Sequence, residues 1–295
     1  MKIRAIQRLA LVIACLLLFR GQPLPGLDWP VASRIITGTF GENRGDHFHN
    51  GIDIGGGSQD VHPVLPGELV FRYDEASDYS SLPRGVGSFV VLNHEQNILS
   101  VYAHLQSGSL GPERTSYVSG ERLGVIGETG HANGLHLHFT VFDEEAESAM
   151  NPLEFLPALT DRQHPVIRHV FVAAGEQKLA LENGVTLKPG RVEILAEAYD
   201  LREDVSFSWP LAPAVVTASV DGVEISTVSF DSLQVSEGRA VLDRGPLTRT
   251  GVYDPSGLLR CGTVELRAGE SHLRISARDL AGNEAVKTFS FFVNE

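Results

Sequence analysis

The sequence predicts a mostly β protein, and three observations carry that prediction. Short apolar runs recur along the chain, separated by Gly, Pro, Asn and Asp, which is how strands and turns alternate. Helix signals are sparse. From Leu135 to Phe142 the residues alternate: Leu135, Leu137, Phe139 and Val141 on one side, His136, His138, Thr140 and Phe142 on the other. This period of two is that of a β-strand. It sends four apolar residues into a core and sets two imidazoles roughly 7 Å apart on the opposite face. Such a pair suits a metal or catalytic site. Taken alone, the stretch reads equally well as a surface strand.

A length of 295 residues suggests two domains. The net charge of −13 argues against nucleic acid as a partner, since phosphate binding needs clustered Lys and Arg. It argues equally against adsorption to anionic lipid. Residues 31–160 hold six Arg, no Lys and 17 Asp or Glu. At the N-terminus, Lys2, Arg4 and Arg8 precede an apolar run of 11 residues, Leu9 to Phe19. A bilayer needs about 20, so residues 1–30 are expected to be a signal peptide or a short N-terminal anchor. Val12-Ile13-Ala14-Cys15 faintly resembles a lipobox. The apolar run continues beyond the cysteine, so ordinary export or an uncleaved anchor is expected instead. With Cys15 in the leader, Cys261 is the one thiol of a mature chain, and no internal disulfide is expected.

The next segment runs from Val31 to Pro157. Arg34 to Thr37 reads as a short strand. His49 and Asp53 flank Asn50-Gly51, a turn that brings a His and an Asp together where they could chelate one cation. By itself this H-x-x-x-D is weak, because polar loops commonly carry such residues. His62 beside Pro63 reads as structural. Gly85 to Asn93 is a buried strand, His94 to Asn97 a hairpin turn, and Leu99 to Leu105 the returning strand, with His104 at its end. Tyr117 to Gly127 reads as another short strand pair. Asn151 to Pro157 closes the segment as a turn or short helix. His47, His94 and His131 read as surface residues.

Together these stretches resemble the lysostaphin/LytM-type zinc endopeptidases over about Arg34 to Pro157. The marks are F-G-x-x-R at Phe40 to Arg44, H-x-x-x-D at His49 and Asp53, Y-A-H-L at Tyr102 to Leu105, G-x-T-G at Gly127 to Gly130, H-L-H-F at His136 to Phe139, and Asn151-Pro152. The resemblance implies that His49, Asp53 and His138 bind one zinc ion, and that His104 and His136 are catalytic. Zinc favours nitrogen and carboxylate ligands, and three of them leave a fourth position for water. No H-E-x-x-H helix occurs, so histidine would have to serve as general base. The chain departs from the family at Thr140, often Glu, and in the preceding loop, which carries His131 and Asn133. Neither position is among the implied ligands or catalysts.

Beyond the junction Thr160 to Pro165, strand-like runs follow one another to Val293. Asp221-Gly222, Pro189-Gly190 and Ala281-Gly282-Asn283 form turns between them, and Pro246 to Leu258 is a longer loop. Seven or more such strands suggest a β-sandwich. The ending, His272 to Val293, resembles immunoglobulin-like modules of bacterial surface proteins. No catalytic set appears there. His164, His169 and His272 are scattered, and Cys261 reads as a small, partly buried residue.

The expected layout is a leader, a LytM-type zinc peptidase domain over 31–160 and an immunoglobulin-like sandwich over 161–295. The activity the resemblance implies is hydrolysis of peptide bonds in peptidoglycan, in the periplasm or cell envelope of a bacterium. Two alternatives stand beside it: a non-catalytic wall-binding scaffold or amidase activator, and a zinc peptidase acting on exported proteins. A membrane tether through the leader and a protein partner through the second domain are the further contacts this layout allows.

Overall fold

A computed structural model of the protein describes residues 26–77, 85–175, 177–203, 210–242 and 247–294. The apolar run and the lipobox-like cysteine of the leader lie outside them. About 51% of the chain is strand and 5% helix, so the protein is mostly β. No helix among the described residues is long and apolar enough to cross a membrane.

The first ten strands are β1 (Ile36–Gly38), β2 (Ile52–Ile54), β3 (Asp60–Val61), β4 (Gly67–Tyr73), β5 (Ser88–His94), β6 (Ile98–Leu105), β7 (Ser116–Tyr117), β8 (Gly124–Val125), β9 (Leu137–Asp143) and β10 (Ser148–Met150). Strand β9 is their hub. Its first half pairs with β2, its second half with β10, and its other edge with β6. Leu137, Phe139 and Val141 are almost fully buried, each worth about 1.5–3 kcal/mol on removal from water. Phe139 packs against the buried ring of Tyr102, 5.4 Å away between centroids. The two short runs between Tyr117 and Gly127 do not pair with each other: β7 adds to β4, and β8 pairs with β3. Each is two residues long, too short to hold a partner by local turn geometry, so each pairs with a strand distant in sequence.

His94 is the clearest correction in this region. The sequence places it on the surface, yet it ends β5 and is 5% exposed. Its Nδ1 lies 2.9 Å from the Pro66 carbonyl oxygen and its Nε2 2.7 Å from Ser100 Oγ, which is 3.0 Å from the Tyr102 hydroxyl. A buried imidazole is tolerated when both nitrogens are satisfied, and burial lowers its pKa, so it is kept as a neutral core residue.

Strands β11 (Val166–Ala174), β12 (Gln177–Ala180), β13 (Thr186–Leu187), β14 (Gly190–Tyr199), β15 (Val215–Val220), β16 (Val223–Ser229), β17 (Ser232–Ser236), β18 (Arg239–Leu242), β19 (Leu247–Thr248), β20 (Leu259–Leu266), β21 (Gly269–Arg278) and β22 (Glu284–Val293) follow. Sheets β12-β11-β14-β20 and β13-β22-β21-β15-β16 share one core that includes Val172, Ile194, Ala218, Ile275 and Phe291. They form a β-sandwich.

Strands β17, β18 and β19 do not belong to it. They leave the sandwich after β16 and extend the first sheet through β10, giving the order β19-β18-β17-β10-β9-β6-β5-β4-β7. The sequence suggests one sandwich for all the strand-like runs beyond Pro165 and a loop over Pro246 to Leu258, whereas β17 and β18 join the first sheet and β19 forms within that loop. Ser148, Ala149 and Met150 pair with Gln234, Leu233 and Ser232. Asn151 adds two bonds: its Nδ2 donates to the Phe230 carbonyl (3.0 Å), and its amide donates to that of Asp231 (2.8 Å). Nearby, the Tyr253 hydroxyl donates to the Gly41 carbonyl at 3.0 Å. Gly41 has φ +81°, and a Cβ there would fall 2.1 Å from the Phe230 ring, so this close approach of the two halves requires glycine.

Cys261 is 2% exposed on β20. Burial, aided by Glu193, pushes its thiol up to about 12. At pH 8 the folded chain should therefore leave Cys261 unmodified by iodoacetamide, with alkylation only after unfolding. Peptide mapping of the two states checks this.

Candidate metal centre

The centre is assembled from separate segments that the first sheet brings together. Asp53 and His138 are directly opposite each other on β2 and β9. His49 comes from the turn before β2. A Cβ on Gly51, within that turn, would stand 2.4 Å from the Phe139 carbonyl oxygen and 2.7 Å from Thr140 Oγ1. Only glycine lets the turn lie this close to β9. His136 is held just before β9 by a bridge to Gly127. Leu135, expected in the core, is 47% exposed, because the strand begins only at Leu137.

His104 reaches the cleft by a backbone irregularity. Between Ser88↔Leu105 and Val90↔Tyr102 the β5–β6 register slips, leaving one extra residue on β6, which is a β-bulge. His104 takes φ +61° there, a left-handed conformation that costs a non-glycine residue about 1–2 kcal/mol. Its amide donates to the Val86 carbonyl (2.9 Å), and its ring turns toward His136 and His138, with centroids at 4.9 and 5.9 Å.

His49 Nε2, Asp53 Oδ1 and His138 Nδ1 make a near-equilateral triangle. The three distances are 3.0, 3.1 and 3.0 Å. All three residues are buried. Hydrogen bonds behind the rings set which nitrogen faces inward. His49 Nδ1 donates to the Thr39 carbonyl (2.8 Å), and His138 Nε2 lies 3.0 Å from Thr140 Oγ1. The inward atoms of neutral rings then carry lone pairs. Three lone-pair-bearing atoms at such distances repel unless an imidazole is protonated or a cation sits among them. Two imidazoles and a carboxylate suit zinc, whose bond lengths of about 2.0–2.2 Å space tetrahedral ligands about 3.4 Å apart, a few tenths of an ångström from the geometry found. This group could hold a metal ion.

His136 Nε2 is 3.7 Å from Asp53 Oδ1. Nδ1 of His104 donates to the Thr129 carbonyl (2.8 Å), and that of His136 to the Gly134 carbonyl (2.9 Å). Both rings therefore keep Nε2 free for the cleft. Burial lowers the pKa of His104 to about 4. Burial pushes the Asp53 carboxyl upward, but bonds to His138 and His49 outweigh it and hold the group well below the usual carboxylate range.

Five contributors escaped the sequence reading, the Gly134 carbonyl behind His136 among them. Arg44, quoted there only as a motif residue, places Nη2 2.7 Å from Asp53 Oδ2. This leaves Oδ1 for the triangle, and Gly38 makes the room, since a Cβ there would lie 2.4 Å from Arg44 Nη2. Thr39 and Thr129 act through main-chain carbonyls, and Thr140 through its hydroxyl. The cleft is about 710 Å³, and every described residue lining it lies between Thr37 and His138. His47 and His131 stand at its rim. Nothing described in the second half covers it.

Residues 47–152 match the family model "Peptidase family M23", and a second family model matches residues 164–294. Murein hydrolase activator NlpD of Escherichia coli is 29% identical over 136 residues, 46% of this chain and 32% of that protein. Outer membrane antigenic lipoprotein B of Histophilus somni is 30% identical over 114 residues, 38% and 30% respectively. The chain thus spans about a third of the length of these relatives. Among solved structures, a zinc containing peptidase from Vibrio cholerae aligns at 25% identity with a TM-score of 0.33, over 39% of this chain and 36% of that one. The match to peptidase family M23 spans all five clustered side chains, so it is residues 47–152 that resemble this family.

Proposed function

We propose that the protein is an exported zinc-dependent endopeptidase that hydrolyses peptide bonds of bacterial peptidoglycan. The observation that carries this reading is the completeness of the cleft: three inward ligand atoms, two further histidines with free Nε2 atoms, and open access. In this reading His49, Asp53 and His138 hold one zinc ion. When bound, zinc supplies a Lewis acid for the scissile carbonyl and lowers the pKa of a water to about 7. His104 and His136 accept the proton of the attacking water and return it to the leaving amine, with the Thr129 and Gly134 carbonyls fixing which nitrogen does so. Arg44 holds Asp53 to one coordinating oxygen. Thr140 orients His138, so Thr140→Val should weaken zinc affinity about 10–100-fold. Competition with a chelating dye measures that directly.

The test of function is digestion of purified sacculi by the zinc-loaded chain. Release of soluble peptides, lost in His136→Ala with zinc retained, is expected. Digestion of unfolded protein without digestion of sacculi would move the substrate to exported proteins.

A second reading is favoured by one observation, the similarity to a murein hydrolase activator. An activator would stimulate a cell-wall amidase while digesting nothing alone, and His136→Ala would leave the stimulation intact. In either reading we assign residues 31–160 to the peptidase unit and 161–295 to an immunoglobulin-like unit that lends β17 to β19. The sandwich is then the surface for a protein partner, and the leader the route to the periplasm or envelope.

A further inference from the structure

A second group of ligating side chains lies far along the chain from the histidines. Asp161 is in the junction after the first sheet, Asp200 follows β14 in one sheet of the sandwich, and Asp279 opens the β21–β22 hairpin of the other. One oxygen from each lies within 4.8 Å of the others. Two oxygens bound to one Ca²⁺ at about 2.4 Å can be no more than about 4.8 Å apart. The three residues share a cavity of about 100 Å³. Asp200 and Asp279 are 7% and 5% exposed, and the Asp161 side chain 3%.

The three carboxylates differ in the partners described for them. Arg202 Nη1 is 3.5 Å from Asp161 Oδ2. Asp279 receives the Asn283 amide and Nδ2, both at 2.8 Å. Asp200 Oδ1, by contrast, is buried and has no hydrogen-bond donor among the described residues. An orphaned buried carboxylate oxygen is costly. Burial and the neighbouring Asp279 and Asp161 raise the Asp200 carboxyl to about 7, with the Leu201 amide and Arg202 opposing. An all-oxygen donor set selects a hard ion, and Ca²⁺ accepts flexible coordination by carboxylates where Mg²⁺ demands a near-ideal octahedron.

We propose that Asp161, Asp200 and Asp279 form a Ca²⁺ site that ties the interdomain junction to both sheets of the sandwich. Asn283 joins the same corner, its Nδ2 donating to the Asp161 carbonyl at 3.2 Å. The ion would fix the angle at which the sandwich meets the first sheet.

Isothermal titration of Ca²⁺ into the zinc-loaded full chain tests this. One Ca²⁺ per chain is expected, half-saturating at about 0.1–1 mM as in extracellular modules. Binding is lost in Asp200→Asn and kept in His138→Ala. A second measurement needs no variant: Ca²⁺ raises the thermal unfolding midpoint of the wild-type chain, and equal Mg²⁺ raises it less. Absence of binding and of any midpoint shift at 10-fold higher Ca²⁺, or binding unchanged in a folded Asp200→Asn chain, overturns the proposal.

Discussion

His138→Ala is expected to abolish zinc binding, taking the metal content from one ion per chain to near zero and hydrolysis with it. The triangle has no spare member. His49 Nε2, Asp53 Oδ1 and His138 Nδ1 are each about 3 Å from the other two, and removing one leaves an imidazole and a carboxylate that cannot close around the ion. His47 cannot substitute, because its side chain is 65% exposed and bound to Asp46. The loss should exceed the 10–100-fold cost of deleting a partner behind a ligand. Atomic absorption on the dialysed protein, alongside sacculus digestion, checks it. Retention of stoichiometric zinc by His138→Ala would overturn the ligand assignment.

His104→Ala should behave differently. Zinc stays, while hydrolysis falls about 10²–10⁴-fold, the usual contribution of a positioned acid or base. The backbone supplies a second readout. At φ +61° alanine remains strained and glycine does not, so His104→Gly should be more stable than His104→Ala by about 1–2 kcal/mol, yet equally inactive. Urea unfolding of the two variants separates stability from chemistry. A left-handed histidine kept at a bulge beside the cleft is backbone strain retained where it aims a side chain.

The sheet-forming segments and the clustered side chains were legible because each carries its own local mark. The alternation around His138 and the turn at Asn50-Gly51 are both patterns of side chains. What escaped depends on main-chain groups or distant partners. The carbonyls of Thr39, Thr129 and Gly134 orient three rings, but any residue has a carbonyl, so no residue type marks them. His94 sits at the end of an apolar strand next to Glu95, which reads as a turn, and only the enclosure by Pro66 and Ser100 shows it to be internal. Strand β17, Ser-Leu-Gln-Val-Ser, would suit either sheet. Its place is decided by the free edge of β10, more than 80 residues earlier in the chain.

That shared edge changes what a truncation means. A cut after Thr160 looks like a clean excision of the half that carries the histidine cluster, but it would strip β17 from β10 and remove Phe230 and Tyr253 from Gly41. The fragment would present an unpaired strand edge, a template for self-association, and the loop that carries the Thr39 carbonyl would lose its backing. The two halves should accordingly melt in one cooperative transition, and an inactive or insoluble fragment would report a broken sheet rather than a missing regulator.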